Sequence, residues 1–320
     1  MNKEVSTLSN LYYQLEDQKH TKDYEKNYAS LGTQLEVSEV KAELEKNKFW
    51  KTIELTIEEI YQKELYRTCA NHQSHVHNER HIENVILYAG LISSLEGFRF
   101  REQLLALEAA KYHDIGRTDD GRTPHGLQGA AILSEKLQER FDEDAIAIIQ
   151  TAVAYHEPDD DLSRLEQLMV KYEVPADQQA TARKISLCLK DADALDRTRF
   201  FQKGITLDPK FLNHTSARQL VKFACQLQET YAVNELNRLV RTRDQKRMKK
   251  QLELQGRLPK EILYQIETGN LVNENPNAKI NQLSINQAFF KNGNKPNHRS
   301  TKGDSKLQKS RGTKFCAKRH

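Results

Sequence analysis

His81, His113, Asp114, His125, His156 and Asp193 follow one another in the order, and with the chemical types, that a two-metal hydrolytic centre requires. Imidazole nitrogens mixed with carboxylate oxygens suit Mn, Fe, Co, Ni or Zn, whereas a Mg-only site is built from oxygen ligands. An aspartate set among histidines can bridge two cations roughly 3.5–4 Å apart, and such a pair activates water and clamps the oxygens of a phosphate. The set therefore points to one or two divalent transition-metal ions and to hydrolysis of a phosphoester. Its centre is AAKYHDIGR at 109–117, where a His-Asp pair closes an apolar helix just before Gly116. Neighbouring helical residues project about 100° apart. An adjacent pair can turn both side chains to one cation only near a helix end.

The elements that must position these residues all read as helices. Apolar residues recur at helical spacing nearly everywhere, and no alternating β-branched run appears, so the fold is expected to be all α. Residues 1–50 form a charged N-terminal segment of one or two helices, and a stronger helix is expected over 51–69. The His-dense stretch ANHQSHVHNERH reads as a loop opening a helix with Ile82, Val85, Ile86, Ala89 and Ile92 on its apolar face, ending near Gly97. A helix from about 101 runs into His113 and stops at Gly116. Thr123 then Pro124 reads as an N-cap with proline at the first helical position, placing His125 in the first turn of the next helix. DEDAIAIIQTAVAYH delivers His156 at its C-terminal end, and TARKISLCLKDADALDR delivers Asp193. Five elements thus bring ligands to a common end, as helical bundles do when they build a metal site in their core.

Charge and composition bound what else the chain does. With 38% hydrophobic and 29% charged residues and a mean hydropathy of −0.77, the sequence is polar and helix-rich; neither an apolar leader nor a spanning helix is expected, since no run reaches the roughly 18 apolar residues that crossing a membrane needs. Cys69, Cys188, Cys225 and Cys316 are scattered without a CxxC, which argues against a disulfide framework and for a reducing, cytoplasmic setting. Residues 291–320 carry ten Lys/Arg against one acid, so the net charge of +4 leaves the preceding part at −5. This basic tail has too little apolar surface to repay ordering and is expected to be disordered. It suits an acidic partner, nucleic acid or anionic lipid, or serves only as a solubilising extension. The helix read over 234–256 is basic with a broken apolar stripe, and a short helix follows Pro259. The organisation expected is therefore a segment at 1–50, a metal-binding domain at 51–215, a helical extension at 216–290 and the tail at 291–320.

The order His81, His113-Asp114, His125, His156, Asp193 resembles the HD-domain metal-dependent phosphohydrolase superfamily, with YHDIGR and LKDADALDR similar to its signatures over roughly 70–215. HGLQG and YHEP resemble features of the six-ligand branch that includes HD-GYP-type phosphodiesterases. Tyr155 stands where that branch has a histidine and no GYP follows, so cyclic-dinucleotide specificity is not implied. The resemblance implies an HD-domain helical bundle with one metal held by His81, His113, Asp114 and Asp193 and a second held by Asp114, His125 and His156. The reaction implied is hydrolysis of a nucleotide or other small phosphate ester, with Asp114, Arg117, His125 and His156 at the reacting centre. In a one-metal enzyme His125 and His156 would instead contact the phosphate or protonate the leaving group. The same ligands also occur in di-iron oxygenases on this scaffold, and a third reading makes the chain a non-catalytic interaction protein working through its tail.

Among the neighbours, Asp191 competes with Asp193, but the register of the family favours Asp193 and leaves Asp191 and Asp196 to support ligands or cap helices. Arg117 is expected to grip a phosphate through its guanidinium fork or to form an ordinary ion pair, and Arg122 is similar. His77, four residues before His81, either faces the same pocket or stays in the polar loop with His72 and His75. Tyr88, Tyr112 and Tyr155 read as core or pocket wall.

Overall fold

The computed structural model describes residues 30–46, 49–62, 79–117, 124–157, 161–199 and 207–241, with Leu8, Leu11, Tyr12, residues 15–17, Tyr24, Asn27 and Tyr28. His72, His75, His77, Arg122, Thr123, the helix expected after Pro259 and the basic tail lie outside these residues. The expected all-α fold is present: helices and no strand among the described residues. In chain order they are α1 (Val37–Lys46), α2 (Phe49–Gln62), α3 (Glu79–Leu95), α4 (Phe100–Tyr112), α5 (His125–Leu137), α6 (Glu143–Tyr155), α7 (Leu162–Lys171), α8 (Gln179–Asp196), α9 (Thr215–Gln219) and α10 (Val221–Arg241). None is long and apolar enough to cross a membrane.

The bundle centre is α3, α4, α6 and α8. Helix α8 packs on the other three, α3 lies against α4, and α4 lies against α6. Helix α3 is buried on nearly every side from His81 to Ser94, which is how a helix behaves when neighbours surround it rather than water. Residues Ile82, Val85, Ile86, Ala89 and Ile92, the apolar face read from sequence, all belong to the core. Tyr88, Tyr112 and Tyr155 are buried there as well. Truncating a core Leu or Ile here to Ala is worth about 2–5 kcal/mol, from lost transfer energy and the cavity left behind.

Capping explains where the helices turn. Asp142 accepts from Ala145 N at the start of α6, and Asp161 accepts from Ser163 N at the start of α7. Helix α5 begins at His125 with Pro124 in the cap position, one residue later than the Thr123 cap predicts. Proline cannot donate a backbone hydrogen bond and its φ suits entry into a helix, so the shift leaves His125 in the first turn. Helix α10 begins at Val221, well before the basic stretch read as a helix from 234, and runs into it.

An ion-pair network with buried Lys111 and Glu108 at its centre braces the C-terminal end of α4. Lys111 Nζ donates to Glu59 of α2 at 2.8 Å and pairs with Glu108 at 2.6 Å, while Arg140 beyond α5 pairs with Glu108 at 2.9 Å. Such a network is worth little net energy but strongly disfavours any other register, since a lone buried charge is costly. It fixes the helix end that carries His113 and Asp114.

The N-terminal residues belong to the same core. Tyr12 stacks on Trp50 with ring centroids 3.6 Å apart, Tyr28 Oη donates to Leu207 O at 3.1 Å, and Gln34 Nε2 donates to Arg218 O at 3.0 Å. Residues on either side of the bundle centre in sequence are thus stitched to each other.

Candidate metal centre

The six sequence-predicted residues converge on one end of the bundle. His81 lies in the first turn of α3, His113 and Asp114 follow α4, His125 opens α5, His156 follows α6, and Asp193 lies in the last turn of α8. Two of these positions use the same local device. The last carbonyls of a helix have no partner within it, and His113 Nδ1 donates to Ala110 O at 2.7 Å while His156 Nδ1 donates to Val153 O at 2.6 Å. Each imidazole satisfies one such carbonyl, and its Nε2 lone pair is turned to the interior.

The other two histidines are turned by carboxylates. His81 Nδ1 lies 2.8 Å from Asp196 Oδ2, and His125 Nδ1 lies 2.9 Å from Glu157 Oε1. A carboxylate among donors presents only lone pairs, so the ring nitrogen facing it carries the hydrogen. Arg199 Nη1 also lies 2.9 Å from His81 Nδ1, but a donor there does not relieve a bare nitrogen held against a carboxylate oxygen. All four Nε2 lone pairs therefore face inward. His81 and His113 bring theirs within 3.0 Å of each other, as do His125 and His156.

Asp114 joins the two pairs. Its Oδ2 lies 3.5 Å from His81 Nε2 and 3.7 Å from His113 Nε2, while its Oδ1 lies 3.2 Å from His125 Nε2 and 3.7 Å from His156 Nε2. Asp193 Oδ1 lies beside the first group, 3.4 Å from His81 Nε2. Within each of the triads His81/His113/Asp114 and Asp114/His125/His156, the ligand atoms lie within 4.8 Å of one another. Asp114 Oδ2 is buried and accepts no hydrogen bond, an arrangement that costs free energy unless a cation meets it. Converging lone pairs and this orphaned oxygen are what a divalent cation satisfies. The residues fit one.

The electrostatics separate the two halves. Burial keeps His113 neutral, its pKa lowered to about 3, and lowers His81 too, with Arg199 adding to the effect. Burial opposes ionisation of Asp114 and Asp193, but the surrounding imidazoles outweigh it: Asp114 is held well below the usual carboxylate range and Asp193 at about 2. At His125 burial again opposes charge, yet the hydrogen bonds to Asp114 and Glu157 prevail and hold the pKa up to about 9. A proton on His125 Nε2 and a metal ion compete for the same lone pair.

Arg117 stands at the rim, with its side chain 24% exposed. Its Nε donates to Asp114 Oδ1 at 2.9 Å and its Nη2 meets His125 Nε2 at 2.9 Å, so this guanidinium joins the second half of the site. Asp193 is also 24% exposed, so each half of the cluster has a residue that reaches solvent.

Close backbone approach makes the assembly possible. A Cβ on Gly116 would lie 2.1 Å from Gly129 N and 2.4 Å from His125 O, and one on Gly126 would lie 2.7 Å from Val153 O. Only glycine lets the turn after Asp114 rest on the first turn of α5, and that turn rest on α6.

Asp191 is a different kind of residue from its neighbours. It accepts from Asn213 N and Nδ2 and from His214 N and Nδ1, all at 2.7–2.8 Å. It ties the segment before α9 to α8 and does not face the ligands. Sequence reasoning assigned no role to Glu157, which follows His156 directly, nor to Asn84, Arg199 and Gln228, which gather around Asp196. The i, i+3 spacing of Asp193 and Asp196 was the available signal, since it places both on one helix face, with Asp191 turned away.

Residues 78–199 match the HD domain. The HD domain is a framework of metal-dependent hydrolases, and the matched stretch contains every ligand described above. No curated protein and no solved structure gives a significant match.

Proposed function

We propose that the HD domain of this chain hydrolyses a phosphomonoester or phosphodiester of a nucleotide or similar small compound. The observation that carries this reading is the Asp114 carboxylate, whose two oxygens each face a separate pair of imidazole lone pairs, with the Arg117 guanidinium beside it at the rim. Bound divalent ions supply Lewis-acid polarisation of phosphoryl oxygens and lower the pKa of water. The chain supplies orientation and charge. Asp114 holds the two halves in register as a shared anion, His113 stays neutral and keeps its lone pair available, and Arg117 offers a planar fork that matches a phosphate. His125, with its pKa near 9, carries a proton at neutral pH whenever no ion displaces it, and can then donate to a leaving-group oxygen.

The test is a metal-reconstituted screen against nucleotides, cyclic nucleotides and simple phosphodiesters. Turnover is expected to vanish in chelator and to return with Mn or another transition metal better than with Mg, because most of the ligands are imidazoles. Full turnover in chelator refutes the metal dependence. Absence of any hydrolysis product, whether free phosphate from a monoester or a new phosphomonoester from a diester, with every substrate and fully metal-loaded protein refutes the reaction class.

A further inference from the structure

Asp196 is fully buried and surrounded by donors from α3, α10 and the turn after α8. His81 Nδ1 and Arg199 Nη1 meet its Oδ2; Asn84 Nδ2 at 2.8 Å and Gln228 Nε2 at 2.9 Å meet its Oδ1. Gln228 belongs to α10, beyond the HD match. Its amide is held at both ends, because its Oε1 also accepts from Arg80, the residue next to His81. A closed chain results, from Arg80 to Gln228 to Asp196 to His81, and Gln228 is itself buried.

We infer that Asp196, locked by Gln228 of α10, is the positioning residue for His81, so that a helix outside the HD match sets the geometry of the first half of the metal centre. The physical step is one of tautomer and rotation. Imidazole has two nearly equivalent nitrogens, and its partner decides which one carries hydrogen and how the ring is turned. With Asp196 fixed, Nδ1 carries the hydrogen and Nε2 points at His113 and Asp114. With Asp196 free to rotate, the ring loses that preference, while His125 and His156, held by Glu157 and the Val153 carbonyl, keep theirs. The inference rests on the reading of the cluster as a metal site.

The experiment is Co(II) titration of the metal-stripped full chain, with Asp196→Asn and Gln228→Met as variants, alongside ¹⁵N-histidine spectra of the wild-type protein. Asp196→Asn is expected to weaken Co(II) at the half-site containing His81 by roughly 10–100-fold, with the half-site containing His125 unchanged. Gln228→Met keeps the side-chain length, removes the donor, and is expected to give a smaller loss confined to the same half-site. Wild-type spectra are expected to show His81 with hydrogen on Nδ1. Folded variants with wild-type affinity, or with equal losses at both half-sites, overturn the inference. Hydrogen on Nε2 of His81 in the metal-stripped wild type overturns it whether or not either variant folds. A wild-type chain that takes up no Co(II) refutes the metal reading itself and the inference with it. Normal wild-type binding with unaffected variants refutes the inference alone.

Discussion

Gly116→Ala is the sharpest small perturbation of this centre, because it adds a single methyl group where two backbones touch. The new Cβ would sit 2.1 Å from Gly129 N, 2.4 Å from His125 O and 2.8 Å from the Gln128 carbonyl carbon. Ordinary contact begins at 3.4 Å, so the first turn of α5 must withdraw by about 1 Å, a displacement of the size that costs roughly 100-fold in a catalytic geometry. All three obstacles are backbone atoms of one helical turn, so no side-chain rotation relieves them. His125 moves with that turn, and its 3.2 Å approach to Asp114 Oδ1 opens. His81, His113 and Asp193 are carried by α3, α4 and α8 and stay in place. Overpacking of this kind costs about 1–3 kcal/mol in stability, or a fall in Tm of roughly 2–12 °C for a domain of this size. The assay is metal content per chain by elemental analysis, paired with thermal melting. Loss of the ion held by Asp114, His125 and His156, with retention of the other, is the expected result. A variant that melts like wild type and binds both ions with unchanged affinity would refute the steric argument.

His125→Ala and His156→Ala should each lower bound metal from about two ions toward one per chain, and unchanged stoichiometry with lost turnover would favour a single-ion centre. The two halves should also differ in pH dependence. His125 holds a proton up to about pH 9, so binding there must expel it, and affinity should rise about tenfold per pH unit toward 9 and then level off. His113, with its pKa at about 3, has no proton to lose, so Co(II) titrations at its half-site should be flat over the same range; parallel slopes at both would contradict the assignment. Away from the site, Glu173 ends α7 with φ of +58°, a left-handed position that favours glycine. Glu173→Gly should therefore stabilise the protein by about 0.5–1 kcal/mol in denaturant titrations, with metal content unchanged, and destabilisation would show that the Glu173 side chain contributes more than its backbone strain costs.

The helices, and the residues they bring together, were legible in the chain for a local reason. Helical periodicity, a cap or a breaker involves residues only a few positions apart, and the HD motif sits at a helix end where both side chains can converge. The i, i+3 relation of Asp193 and Asp196 and the opposite facing of Asp191 follow from the same 3.6-residue repeat. The division of Asp114 between two pairs of imidazoles, by contrast, is a matter of ångströms between the ends of different helices. So is the service of Asp196 to His81 and of Glu157 to His125, which depends on which carboxylate lies within reach of which ring nitrogen. Gln228 is separated from Asp196 by 32 positions and from Arg80 by 148, and nothing in its local sequence distinguishes it from any other glutamine of a helix. Gly116 could be read only as a helix stop; its proximity to Gly129 and His125 reveals that the same residue also admits α5 to the site. Tertiary packing decided these pairings because hydrogen bonds and steric contacts act over a few ångströms, whatever the distance along the chain.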